Sequence, residues 1–223
     1  MKFEVYQTSD GSNTFFIPEM NEFFHSPKGA LSESKYVFIE KGLTSLFNFI
    51  PTKERINILE IGFGTGLNAI LTNIYATDYN QKIFYESIDK YPLDDKKLEE
   101  INYSSIINNG NIEQIYKAEW EIEKEINPFF TILKKNMDLL EFKSEKKFDL
   151  VYFDAFAPSK QSELWTVEAL SKLNNFLNKN AVLVTYCAQG QFKRNLRELG
   201  WEIESLQGAN GKREMVRAFL KSK

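Results

Sequence analysis

A chain of 223 residues with 43% hydrophobic residues, 14% aromatic residues and only six prolines is long enough to bury a sizeable core and too apolar to remain disordered. Its 28 basic and 31 acidic residues leave a net charge of -3, which argues against indiscriminate coating of nucleic acid, although a local basic patch can still hold RNA. No stretch approaches the ~20 apolar residues of a membrane span, and Lys2, Glu4 and Asp10 interrupt the place of a secretory leader. A single cysteine, Cys187, and a single histidine, His25, exclude an internal disulfide and are too few for a Cys/His metal site, so a cytoplasmic chain that holds no metal is expected.

Phe3 to Gln7 and Asn13 to Ile17 are extended-looking runs on either side of Asp10-Gly11, a dipeptide suited to a tight turn, which predicts a β-hairpin. From Ser32 the spacing of Tyr36, Ile39, Leu43 and Phe47 predicts one apolar helical face. This N-terminal part, residues 1–49, reads as a hairpin and helix extension packed on a core of residues 50–223.

The core opens with the apolar strand Ile56 to Ile61, a glycine turn and a helix to about Tyr75; a strand over Lys82 to Ile88 and a helix over Leu93 to Ile101 follow. Residues Asn102 to Asn127 read as irregular and helical pieces, and Phe129 to Leu133 as a third strand. Phe148 to Phe153 is a strand, Ser162 to Leu177 has helical spacing, Ala181 to Tyr186 is a strand and Gln191 to Leu199 a helix. Trp201 to Gln207 and Glu214 to Leu220, joined across Gly208-Ala209-Asn210-Gly211, must pair antiparallel because the connection is short. The fold class is therefore α/β: a doubly wound, mostly parallel sheet that ends in an antiparallel hairpin, the Rossmann-like plan of class I methyltransferases. No internal repeat or low-complexity segment interrupts it.

Glu60-Ile61-Gly62-Phe63-Gly64-Thr65-Gly66 ends a strand on a carboxylate and then sets three glycines at alternate positions. Glycine lets a backbone approach a ligand where a Cβ would collide. The pattern differs from the Gly-x-Gly-x-x-Gly of dinucleotide loops and suits the methionine end of S-adenosylmethionine, whose ammonium Glu60 or nearby carbonyls would meet; a tight strand-to-helix turn without a ligand is the plain alternative. Asp89, twenty-three residues beyond Gly66 at the end of the second strand, is placed to accept hydrogen bonds from ribose hydroxyls. Asp138, after the third strand, is either a partner for the adenine amine or an exposed acid. Asp154-Ala155-Phe156-Ala157-Pro158 follows a buried strand; Asp154 would bind a substrate amine, Phe156 would pack on a base and Pro158 would hold the loop or simply end the strand. Lys193, Arg194, Arg197, Lys212, Arg213 and Arg217 are either a phosphate-binding patch or an ordinary solvated face. His25 and Cys187 read as structural.

Several segments together resemble the methyltransferase part of the MnmC-type tRNA-modification enzymes: Thr8 to Ser12, His25 to Ala30, Glu33 with Tyr36 to Phe38, Glu60 to Asn68, Asp154 to Pro158 with Trp165, and Gly211 to Met215. The match runs in order along nearly the whole chain. The resemblance implies S-adenosylmethionine as cofactor and methylation of the primary amine of 5-aminomethyl-(2-thio)uridine at the tRNA wobble position. On it the cofactor set is Glu60, Gly62, Phe63, Gly64, Gly66, Asn68, Asp89, Lys90, Asp138 and Asp154. The catalytic set is Asp154, Phe156 and Pro158, and the RNA-facing set is Glu33, Lys193, Arg194, Lys212 and Arg213. In bifunctional relatives a flavin oxidase domain follows; with the sequence ending at Lys223, no fused domain of that kind is expected. The rival readings are methylation of a small-molecule or protein amine, and a non-catalytic RNA-binding module of the same fold.

Overall fold

The computed structural model describes residues 2–50 and 52–220; Met1, Pro51 and the last three residues, which the 1–49 and 50–223 division also takes in, lie outside it. Strands β1 (Glu4–Gln7) and β2 (Asn13–Ile17) pair antiparallel across Asp10-Gly11. A third strand, β3 (Glu22–Phe23), pairs with β2. It is too short to show any periodicity in sequence. Asp10 pins this sheet to helix α1 (Ala30–Ser34), accepting from the backbone N of Ser12 at 3.1 Å and of Ser32 at 2.8 Å.

Lys35–Thr44 continues as a π-helix. The residues it buries are Val37, Phe38, Gly42 and Leu43, two adjacent pairs about one turn apart on a helix wound wider than an α-helix by its i→i+5 bonds. Of the predicted face, Leu43 is fully buried while Tyr36, Ile39 and Phe47 are partly buried and pack against the same core; the winding buries Val37 and Phe38 more deeply than the spacing predicts.

Then come β4 (Arg55–Ile61), α2 (Leu67–Asp78), β5 (Lys82–Asp89), the short helices α3 (Asp95–Glu99), α4 (Tyr103–Ile106) and α5 (Ile112–Lys117), and strands β6 (Lys124–Asn127) and β7 (Phe130–Asn136). The chain closes with β8 (Phe148–Phe153), α6 (Val167–Asn174), β9 (Leu177–Thr185), α7 (Gly190–Glu198), β10 (Trp201–Leu206) and β11 (Met215–Leu220). Sequence reading missed β6, whose Lys-Glu-Ile-Asn is polar and whose pairing with β7 shifts register. The helix expected over Ser162 to Leu177 is broken. Ser162–Trp165 is a 3-10 turn, Ala169 N donates to Thr166 Oγ1 at 3.2 Å to cap α6, and Leu177 opens β9.

These strands form one eight-stranded sheet in the order β10-β11-β9-β8-β4-β5-β7-β6. The inner strands β9, β8, β4, β5 and β7 are parallel, while β11 runs antiparallel to β9 and β10 to β11. The apolar run of β4 reflects cover on both faces. On one face the core joins the π-helix and α2 through Phe38, Leu43, Ile70 and Tyr152; on the other it joins α6 and α7 through Leu170, Leu173, Phe192 and Phe153. The order reverses at β4, from which the chain fills β5 and β7 on one side and later β8 and β9 on the other, so a crevice opens at the carboxyl ends of β4 and β8. Among the described residues no helix is long and apolar enough to cross a membrane.

Candidate active site

Gly62, directly after β4, has φ +94°, and a Cβ there would stand 2.7 Å from the backbone O of Asp154, the residue after β8. The loop leaving β4 and the loop leaving β8 are thus packed backbone to backbone, and Asp154 N donates to Ile61 O at 3.0 Å. Gly64, at φ +51°, faces the ring of Phe24 at 3.3 Å. The first two glycines are therefore required by the protein's own packing and dihedrals, before any ligand is considered.

A cleft with about 920 Å³ of empty space lies along this edge. Asp138 stands beyond β7, Asp89 ends β5, Gly62 follows β4 and Asp154 follows β8, so the line from Asp138 to Asp154 covers three strand spacings, ~14 Å. Ile88, Met137 and Leu139 supply an apolar wall near its Asp89 end. Asp89 accepts from Gly64 N at 3.0 Å and Tyr91 N at 2.8 Å, and burial holds its pKa above the usual range. Asp138 accepts from Leu140 N at 2.9 Å and pairs with Lys90 at 2.8 Å.

At the other end Asn68, on the first turn of α2, donates from Nδ2 to Glu60 Oε1 at 3.0 Å and to Asp154 Oδ2 at 2.7 Å. Glu60 is wholly buried, also accepts from Ser87 Oγ at 2.6 Å, and is pushed up to about 8 by loss of solvent, with Asp154's charge adding to the shift. Burial likewise pushes Asp154 up to about 7; Glu33 adds to that shift, while Asn68 and Lys212 oppose it. Fixed bonds hold the loop after β8: Trp165 Nε1 to Phe156 O at 2.9 Å, Tyr186 OH to Ala155 O at 2.8 Å, and Phe156 N to Gln161 Oε1 at 3.1 Å.

Asp154 also lines a second, neighbouring cavity, walled by Glu22, Phe23, Glu33, Phe38 and Lys212; Phe24, His25 and Tyr186 border both. Glu33 is buried, ion-paired with Lys212, and accepts from Ser26 N at 2.9 Å. His25 is neutral, driven down to about 4 by burial, with Thr14 Oγ1 3.0 Å from Nδ1. Among the described residues no group of three or more His, Cys, Asp or Glu side chains is arranged to hold a metal.

A model of the S-adenosyl-L-methionine-dependent methyltransferase family matches residues 109–221, half of the chain. The chain belongs to this family. This methyltransferase is 28% identical over 94% of its length to the tRNA 5-methylaminomethyl-2-thiouridine biosynthesis bifunctional protein MnmC of Campylobacter jejuni, and 28% identical over 89% to the protein of the same name in Leptospira interrogans. It spans about a third of the length of these curated relatives (35% and 32%). The crystal structure of MNMC2 from Aquifex aeolicus superposes with a TM-score of 0.82 at 25% identity, covering all of this chain and 71% of that one.

The cleft suits such a cofactor on its own evidence. Acceptors stand at both ends of the ~14 Å line, and the buried Oδ1 of Asn68, on the cleft wall, has no hydrogen-bond partner. Of the residues expected to meet the cofactor, Gly62, Phe63, Gly64, Asn68, Asp89, Lys90, Asp138 and Asp154 line the cleft. Glu60 and Gly66 do not. Glu60, expected with nearby carbonyls as a partner of the ammonium, lies buried beneath the cleft and hydrogen-bonds Asn68, which lines it. A Cβ on Gly66 would meet the Phe63 ring at 2.8 Å. Phe156 lines the cleft and packs edge-on against Phe24, with ring centroids 5.1 Å apart, whereas Pro158 stays in the loop outside the lining.

The basic patch divides. Arg217 is buried, pairs with Glu204 at 2.6 Å and donates to Lys41 O and Ser45 Oγ, so it ties β11 to the π-helix and is unavailable to phosphate. Lys193 pairs with Glu214 at 2.6 Å and Arg194 donates to Gln191, while Arg213 is exposed. Sequence reasoning missed Phe24, His25 and Tyr186 as site residues. For Tyr186 a signal existed, because it follows a parallel strand at the same edge as Asp154.

Proposed function

We propose that this methyltransferase moves a methyl group from S-adenosylmethionine to the primary amine of 5-aminomethyl-(2-thio)uridine at the wobble position of tRNA. The observation that carries this reading is the position of Asp154, whose side chain belongs to the walls of both cavities. The names of the relatives supply the substrate class. On this reading the Gly62 to Gly66 loop, Asn68, Asp89, Lys90 and Asp138 hold the cofactor, which supplies an electrophilic sulfonium methyl group. The second cavity, built mostly by residues of the N-terminal extension 1–49, takes the modified base beside the 50–223 methyltransferase domain. A tRNA substrate agrees with the cytoplasmic location expected from the sequence.

The amine must lose its extra proton before its lone pair can attack, and methyl transfer then leaves a secondary ammonium that can depart still protonated. Asp154 is suited to take that first proton, because a pKa near 7 lets it accept one at neutral pH. Phe24 and Phe156 exclude water where the cavities meet, and fixed orientation of the amine supplies much of the rate. Lys212, held by Glu33, and the exposed Arg213 are the candidates for phosphate contact.

The deciding experiment is nucleoside mass analysis of tRNA from cells with and without the protein. Loss of the methylaminomethyl nucleoside with build-up of the aminomethyl form is expected. An unchanged nucleoside profile, with cofactor binding intact, would redirect the enzyme to a small-molecule or protein amine.

A further inference from the structure

We propose that Asn68 is a positioning residue that keeps negative charge on Asp154 and offers its own oxygen to an incoming amine or ammonium group. Both halves follow from one side chain. Its two N–H groups are committed to two acids on neighbouring strand ends, Glu60 at 3.0 Å and Asp154 at 2.7 Å. The reverse orientation would set an amide oxygen against the charged oxygen of Asp154. With Nδ2 so committed, Oδ1 is buried without a partner in a side chain only 3% exposed that lines the cofactor cleft. A buried acceptor left bare is costly, so a donor is expected to complete it.

The pairing is unequal. Glu60 has no exposure and is boxed in by Ser87 and Tyr85, whereas Asp154 stands at the junction of two cavities. A hydrogen bond from an amide is strongest to an ionised acceptor. Asn68 therefore favours the state in which Glu60 keeps its proton and Asp154 carries the charge. The other groups around Asp154 are Glu33 from α1, His25 after β3, Tyr186 after β9 and Lys212 before β11; Glu33 and Lys212 act on it with opposite signs. Asn68 is the group that touches it. A primary amine can then donate one N–H to the free oxygen of Asp154 and another to Asn68 Oδ1, which fixes its third direction. The cofactor's amino-acid end carries an ammonium of the same chemistry, and the experiment separates the two sources.

The first measurement is a carbon-13 titration of side-chain carboxyl groups in the cofactor-free protein, with the Asp154 signal assigned by its loss in Asp154→Asn. In Asn68→Ala, and in Asn68→Ser as a smaller perturbation, the Asp154 midpoint should rise by about one pH unit, a tenfold gain in proton affinity. An unmoved midpoint in both folded variants overturns the charge-holding role. The second is calorimetry with S-adenosylhomocysteine and with 5′-methylthioadenosine, which lacks the amino-acid end. A fall of about tenfold for the first alone assigns Oδ1 to the cofactor's ammonium. Unchanged binding of both, with a raised KM for aminomethyl tRNA, assigns it to the substrate; no change in any of the three overturns the acceptor role. Only the KM arm rests on the proposed tRNA reaction, so failure of that reaction leaves the titration and calorimetry to decide.

Discussion

Glu60 makes the stability of this fold depend on pH in a direction opposite to that of most carboxylates. It is fully buried, and its pKa is pushed from 4.5 up to about 8. The folded protein holds a proton that the unfolded chain has released, so stability is greatest below the unfolded pKa and falls as pH rises through the folded one. Between pH ~6.5 and ~8 the loss is ~1.4 kcal/mol per unit, about 2 kcal/mol in all, which for a chain of this size lowers Tm by roughly 4–8 °C. Glu60→Gln keeps the shape of the protonated acid and removes the titration. Thermal melts of cofactor-free protein from pH ~6.5 to ~9 should therefore show a falling Tm in the parent and a shallower fall in the variant. Asp154 titrates in both and contributes the same sign, while His25, lowered to about 4 from 6.5, acts only below this window. Parallel Tm profiles across the window would show that Glu60 is ionised in the fold and that its burial is compensated.

Gly62→Ala should cost ~1–3 kcal/mol through its positive φ and its collision with Asp154 O, and should loosen cofactor binding; a melt within ~0.5 kcal/mol of the parent would contradict the backbone packing described. Asp154→Asn should slow single-turnover methyl transfer by ~100-fold to 10,000-fold while leaving cofactor affinity near that of the parent. That loss should shrink as pH rises and solvent deprotonates the amine; a rate within about threefold at every pH would remove Asp154 from the chemistry. For RNA, Lys212→Ala and Arg213→Ala should each make the log-log salt dependence of tRNA binding shallower by about one unit at most. Arg194→Ala, whose guanidinium is engaged by Gln191, should change it less; a slope unchanged from the parent in all three would leave the patch as solvated surface.

The parallel core was legible because its strands are short apolar runs and its turns carry glycine or proline, and those local signals agree with the sheet that forms. The π-helix was not, because a hydrophobic face read at 3.6 residues per turn drifts away from one wound at a longer repeat, so Val37 and Phe38 were passed over for Tyr36 and Ile39. Acids at strand ends were legible as a row, since chain order alone sets Asp89, Asp138 and Asp154 along one edge. What sequence did not show was depth. Glu60 and Asp89 look alike as strand-terminal acids, yet one lies beneath the cleft and the other on its wall. Nor did composition separate Arg217, sealed against the π-helix, from the exposed Arg213 four residues away.

The second cavity is closed by a clasp between segments far apart in the chain. Asn210 Nδ2 donates to Gly29 O at 3.0 Å, Ser32 Oγ lies 3.1 Å from Asn210 Oδ1, and Lys212 pairs with Glu33, all about 180 residues apart in sequence. During synthesis at ~5–20 residues per second, the early half of this clasp would wait roughly 10–40 s for the late half to leave the ribosome. Until then the side of the cavity that Lys212 closes is missing, and Glu33 lacks the ammonium it pairs with. The order of synthesis thus makes the candidate substrate cavity one of the last parts of the molecule to exist, and a nascent chain would acquire its glycine loop well before it acquired a place to put an acceptor.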